Sequence, residues 1–176
     1  MHDFHFKNNE LYCENVRVSA VARAVGTPFY LYSHKTLTDH FRKIKKAFAE
    51  LDPVICFAMK ANGNLAVLKS LVDMGAGLDI VSIGELKKAL MVRADPKKIV
   101  FASVGKTEEE IAFALKKGIL FFNVESEPEL REINRVAKAM GKKARAALRI
   151  NPDVPAPTHD YIFTGSLKKK FGIDLR

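Results

Sequence analysis

The chain has 176 residues, 48% apolar and 28% charged, a composition that suits one sizeable core and at most two small domains. No apolar run approaches the ~20 residues that span a bilayer, and Met1-His2-Asp3-Phe4-His5-Phe6 lacks the basic flank and apolar stretch of a secretory signal, so a cytoplasmic protein with no membrane partner is expected. Lys and Arg outnumber Asp and Glu by 29 to 20. They lie as dispersed pairs near predicted helix ends (Lys45-Lys46, Lys87-Lys88, Lys116-Lys117, Lys142-Lys143) without interleaved aromatics, which argues against nucleic acid.

In chain order, Thr27-Pro28-Phe29-Tyr30-Leu31-Tyr32 reads as a short strand out of phase with all later ones, and a helix is predicted from about His34 to Glu50. Alternation then begins. Apolar, β-branched runs stand near Val54–Ala58, Leu78–Val81, Ile99–Ala102, Ile119–Val124 and Ala144–Ile150. Between them run helical patterns that start after Asn64, Ser82, Thr107 and Ser126. Ser82–Glu85, Thr107–Glu110 and Ser126–Glu129 each match a capping box, and Gly75, Gly118 and Gly141 suit left-handed helix closures. Strand and helix repeat at the beat of βα units, and strands apolar throughout belong in a parallel sheet covered on both faces or closed into a barrel. The fold class expected is α/β.

The densest chemical signal is Val54-Ile55-Cys56-Phe57-Ala58-Met59-Lys60-Ala61-Asn62-Gly63-Asn64. An apolar strand ends in one lysine followed by turn residues, so Lys60 sits at the C-terminal edge of the sheet, where α/β folds place ligands. A desolvated lysine there can lose its proton and attack a carbonyl; a lone strand-end lysine otherwise merely reaches water. Asp79 stands inside the next strand, and a charge in such a place is expected to be paired. If the strands are parallel neighbours, it lies close to Lys60. Glu85 completes a capping box, and Arg149 ends the run Ala146-Ala147-Leu148-Arg149-Ile150. Ser103-Val104-Gly105-Lys106-Thr107 resembles the tail of a phosphate-binding loop, but Val100 stands where its first glycine is needed, so Thr107 reads better as a helix cap. Cys13 and Cys56 leave a disulfide open, although a reducing compartment fits better, and no Cys/His cluster has metal-ligand spacing.

Taken together, Ala58-Met59-Lys60-Ala61-Asn62, Asp79-Ile80-Val81-Ser82-Ile83-Gly84-Glu85-Leu86, Asn123-Val124-Glu125-Ser126, Arg149-Ile150-Asn151-Pro152, Thr158-His159, Phe163-Thr164-Gly165 and Lys170-Phe171-Gly172-Ile173 resemble the diaminopimelate decarboxylase family in order and spacing. Ile83, Gly63 and the pair Val92-Arg93 depart from the family's usual residues without removing a chemical group. The resemblance implies an alanine-racemase-like pyridoxal 5'-phosphate enzyme with a (β/α)8 TIM-type barrel and a C-terminal β domain. Residues 1–33, with the early strand, would associate with the β domain, and 34–176 would form the N-terminal part of the barrel. A barrel takes roughly 250 residues, so the chain is expected to be a fragment, inactive alone, of a protein that is a homodimer at full length.

By the same resemblance Lys60 would carry the cofactor, with Asp79, Glu85 and Arg149 beside it, and His159 falls in a family loop motif as a substrate or lid candidate. The implied reaction converts meso-2,6-diaminopimelate to L-lysine and CO2. Decarboxylases of ornithine, arginine or carboxynorspermidine are rival readings, as is a non-catalytic α/β fragment.

Overall fold

The computed structural model describes residues 2–151 and 172–174. His159 and the expected loop motifs around it lie outside the described residues. The chain divides into two compact units, residues 1–53 with 73–75, and residues 54–72 with 76–176.

In the first unit, strands β1 (Phe4–Lys7), β2 (Glu10–Cys13) and β3 (Val16–Arg17) form an antiparallel sheet in that order. The β1–β2 turn is Asn8-Asn9, with φ of 50° and 59°, the left-handed pair that a tight hairpin requires. Two helices follow, α1 (Val18–Val25) and α2 (His34–Ala47). The strand expected at Phe29–Tyr32 is not formed. No ladder partner engages that stretch among the described residues, and the Tyr30 and Tyr32 side chains are exposed. The sheet instead supplies the N-terminus of α2 with carboxylates. Ser33 caps the helix by accepting from the Thr36 N–H at 3.0 Å and donates its hydroxyl to Glu14 at 2.8 Å, while Asp3 takes the Lys35 ammonium at 2.6 Å. Those contacts hold both carboxyls below their ordinary pKa: Asp3 chiefly through Lys35, and Glu14 chiefly through the Lys35 backbone N–H.

The second unit carries the βα repeats. Strands β4 (Cys56–Ala58), β5 (Gly77–Ile80), β6 (Ile99–Ala102), β7 (Phe121–Val124) and β8 (Ala146–Leu148) are parallel neighbours in sequence order. They alternate with α3 (Leu65–Asp73), α4 (Ile83–Met91), α5 (Glu108–Lys117) and α6 (Glu127–Ala139). Sequential order with crossovers of one hand puts all the helices on one face, the singly wound arrangement of a barrel wall.

Strand residues alternate between the two faces. Leu78, Ile80, Ile99, Phe101, Phe122 and Val124 point to the helices and are at most 1% exposed, packed with Leu68, Leu86, Ile111 and Ile133. Truncating one of these to alanine would cost about 2–5 kcal/mol. The opposite face is built differently. Ala58, Asp79, Val100 and Phe121 lie in register across four strands, and Ala102, Asn123 and Ala147 form the next row. The face without helices therefore mixes the small side chains Ala58, Ala102 and Ala147 and the polar Asp79 and Asn123 with the apolar Val100 and Phe121.

Gly77 fixes the register on which this depends. A Cβ there would stand 2.3 Å from the Lys98 carbonyl oxygen and 2.8 Å from Cys56 Sγ, so β4 and the approach to β6 close tightly around a bare backbone.

The helix starts refine the capping expectation. Thr107 and Glu110 form a reciprocal box. Ser82 and Ser126 cap as expected, but Glu85 and Glu129 reach one residue further back, to the backbone N–H of Val81 at 2.7 Å and of Glu125 at 2.9 Å. The difference goes with the cap backbone: φ is −159° at both serines and −81° at Thr107, so the N–H turned toward the helix belongs to a different residue.

Candidate active site

At the C-terminal edge of this parallel sheet the strand ends deliver the ionisable side chains in turn. Lys60 lies in a 3-10 turn, Met59–Ala61, directly after β4. Met59 anchors that turn in the core at 1% exposure, while Lys60 itself is exposed. Beyond it, Asn62 Oδ1 accepts from the Asn64 N–H and Asn64 Oδ1 from the Ala66 N–H, each at 2.9 Å, so the chain turns sharply into α3.

Asp79 is half-buried on the open face, next to Ala58 of β4. The pairing expected for it is not made: Oδ1 is buried with no hydrogen-bond partner among the described residues. Burial pushes the Asp79 carboxyl above its ordinary pKa; the Lys60 charge opposes the shift, Glu85 adds to it, and Arg149 opposes it. Lys60, Glu85 and Arg149 thus all act electrostatically on Asp79, and the structure brings the four candidates to one edge. Glu85 stands in the first turn of α4. The Arg149 guanidinium meets Glu125 Oε1 at 3.0 Å, with side-chain exposures of 41% and 4%.

Three residues at this edge, read from the sequence only as parts of motifs or a helix cap, join the candidates. Glu125 is buried immediately after β7. The Lys106 side chain is wholly buried, and its ammonium donates to the Ser103 carbonyl at 2.8 Å, the Asn123 carbonyl at 2.7 Å and Glu129 Oε1 at 2.5 Å. A lysine ammonium has three hydrogens, so this one has none left for a phosphate. Glu129 in turn holds the Glu125 N–H with its other oxygen. The signal for this network was the spacing of Glu125 and Glu129 around Ser126; the burial of Lys106 had none, since Gly105-Lys106-Thr107 looks like a solvated loop.

Cys56 points to the same face, where burial and then the Asp79 charge push its thiol up and away from thiolate chemistry. Both cysteines are free. Among the described residues no group of three or more His, Cys, Asp or Glu side chains could hold a metal ion, and no helix is long and apolar enough to cross a membrane.

Known proteins resemble this arrangement. The family described as pyridoxal-dependent decarboxylase, pyridoxal binding domain, matches residues 34–176. A diaminopimelate decarboxylase of Neisseria meningitidis serogroup A is 50% identical over 163 residues, 93% of this chain and 40% of that protein. The crystal structure of the Helicobacter pylori diaminopimelate decarboxylase complexed with L-lysine superposes with a TM-score of 0.86 at 45% identity, covering 89% of this chain and 40% of that one. The M. jannaschii diaminopimelate decarboxylase, also with L-lysine, gives a TM-score of 0.89 at 36% identity, over 98% of this chain and 41% of that one. The chain therefore spans about 40% of the length of such relatives.

Proposed function

From the premise that this chain belongs to the pyridoxal-dependent decarboxylases through their pyridoxal-binding domain, we propose that it supplies the cofactor-bearing edge of a diaminopimelate decarboxylase. The reaction is removal of one carboxylate from meso-2,6-diaminopimelate to leave L-lysine and CO2. The observation that carries this is the position of Lys60, Asp79, Glu85 and Arg149 at or beside the C-terminal ends of strands of one parallel sheet, in a chain half identical to a protein of that name. The proposal includes a (β/α)8 barrel to which residues 34–176 contribute the first part, association of residues 1–33 with a β domain, and a cytoplasmic homodimer. These last features rest on the family resemblance. His159 stays within the proposal as a substrate or lid residue.

The residues fit pyridoxal phosphate. Ala58, Ala102 and Ala147 are small side chains of the open face, and the buried Asp79 Oδ1 is an acceptor without a hydrogen-bond donor among the described residues. Lys60 would hold the cofactor by its ε-amino group, with Asp79, Glu85 and Arg149 around it. When bound, the ring supplies a sink for the electron pair left behind as CO2 departs.

The chain's own residues do the rest. Lys60 binds a carbonyl through Nζ as an amine, and its exposed position at the strand end, unlike the desolvated one expected, leaves that atom open to an incoming carbonyl. Asp79, with its proton affinity raised by burial, offers the face a carboxyl that takes or keeps a proton more readily than a solvated one. The guanidinium of Arg149 at this edge favours a substrate bearing carboxylates.

Assay of the holoenzyme against diaminopimelate, ornithine, arginine and carboxynorspermidine tests this reading, with CO2 release measured. Diaminopimelate should be turned over in preference and yield L-lysine. Preferred turnover of another of these amino acids would transfer the assignment to that rival, and no absorbance change on adding pyridoxal phosphate would favour a non-catalytic fragment.

A further inference from the structure

We propose that Glu125 is the positioning residue of this site, clasping the guanidinium of Arg149 and the returning backbone at Gly172 so that Arg149 keeps its place beside Asp79. The inference rests on reading Arg149 as a cofactor-edge residue.

The geometry begins with a buried charge. Glu125 leaves the end of β7 with its carboxylate 4% exposed, a place where an ionised group needs strong donors. It has two from different parts of the chain: Arg149 Nη1 donates to Oε1 at 3.0 Å, and the Gly172 N–H donates to Oε2 at 3.0 Å. Both oxygens are engaged, one by a charged donor.

Main-chain bonds close the same knot. The Arg149 N–H donates to the Val124 carbonyl at 2.9 Å, and the Arg149 carbonyl accepts from the Ile173 N–H at 2.7 Å. Strands β9 (Ile150–Asn151) and β10 (Ile173–Asp174) then pair in parallel. The backbones come together so closely that a Cβ on Gly172, whose φ is +80°, would lie 3.1 Å from the Arg149 carbonyl oxygen and the Asn151 nitrogen. The chain thus leaves the sheet at Asn151 and returns at Gly172 to the same point, and one carboxylate grips both sides.

Glu125 is itself held from behind. Its N–H is fixed by Glu129, and Glu129 by the buried Lys106. A run of charge-assisted contacts from Lys106 through Glu129 and Glu125 to Arg149 therefore links the ends of β6, β7 and β8. Glu125 does not face the Asp79 group directly in this scheme. It acts by fixing where the Arg149 charge stands.

The test compares Glu125→Gln, Glu125→Ala, Arg149→Gln and the Glu125→Gln/Arg149→Gln pair in the holoenzyme, with hydrogen exchange of residues 172–174 as the readout independent of turnover. In Glu125→Ala the amide of Gly172 should exchange about tenfold faster or more, the loss of a hydrogen bond to a charged acceptor, and that of Ile173, bonded to the Arg149 carbonyl, should speed up with it. If that variant fails to fold, Glu125→Gln should still show faster exchange than wild type. Glu125→Gln should lower kcat about 10- to 100-fold, a misplacement effect, while cofactor absorbance persists. Because Glu125 works through Arg149, the double variant should be within about twofold of Arg149→Gln alone. Unchanged exchange, wild-type kcat in Glu125→Gln, or losses that multiply in the double variant would each overturn the clasp. A holoenzyme inactive on every amino acid tried would defeat the decarboxylase reading alone, since the exchange comparison decides the clasp without turnover.

Discussion

Glu110 belongs to α5 yet also caps the start of α4: its Oε1 accepts the Ile83 N–H at 2.9 Å, while its Oε2 serves the Thr107 N–H at 3.1 Å. Burial acts to raise its pKa but is outweighed by those two backbone donors, so the carboxyl sits below the ordinary glutamate value of 4.5. A lowered folded-state pKa means stability present above the ordinary value and lost as pH falls through the folded one. Glu110→Gln should therefore be less stable than wild type by about 1 kcal/mol at neutral pH. The gap should close as pH is lowered below about 4. Thermal melts of both proteins across that range are the check; a gap that widens in acid would contradict the double cap.

Asp79 should show the opposite slope. Its raised pKa, caused first by burial, means that the folded state holds the proton more tightly than the unfolded chain. Stability is then greatest below the ordinary aspartate value and falls as pH rises through the folded one. In the apoprotein Asp79→Asn should melt a few degrees higher than wild type at pH 7 or 8, and no higher below about pH 4. The same variant should lose decarboxylation in the holoenzyme. Lower stability than wild type at neutral pH would mean that Asp79 is paired after all.

Lys60 should carry the pyridoxyl label after borohydride reduction of the holoenzyme and peptide mapping. Recovery of label on Lys106 or Lys88 instead would refute the assignment. Because the side chain is exposed and packs into no core, Lys60→Ala should abolish turnover while changing stability by no more than about 0.5 kcal/mol.

Lys106 should behave in the reverse way. Replacing it with methionine leaves Glu129 buried without its cation, and breaking a buried pair of this kind costs about 3–5 kcal/mol. Chemical denaturation should show that loss, and Lys106→Met/Glu129→Gln should recover part of it by removing the stranded charge. If Lys106→Met is as stable as wild type, the pair contributes nothing.

The periodic half of the molecule was legible because its elements are locally consistent: apolar strands, serine and threonine caps, and glycine closures agree with the parallel order found in the structure. Lys60 and Asp79 could be placed because each interrupts a strand pattern. The N-terminal sheet was misplaced because Phe29, Tyr30 and Tyr32 look like strand residues, whereas the better signal was Asn8-Asn9 between two short alternating runs. Glu125 could be seen only as part of a motif, because what matters about it is the arrival of Arg149 and Gly172 from far along the chain. Long-range encounters of that sort leave no periodic trace.

Gly77 has a bearing on how such a site can change over generations. Substitution at position 79 alters which charge is displayed, and one codon suffices. Where that charge is displayed is inherited from a backbone contact that no side chain can enter, since the Lys98 carbonyl already occupies the space a Cβ would need. Descendants of this sequence can therefore trade the chemistry at Asp79 for another by one substitution, but the address of that chemistry is settled two residues earlier, by an atom that is not there.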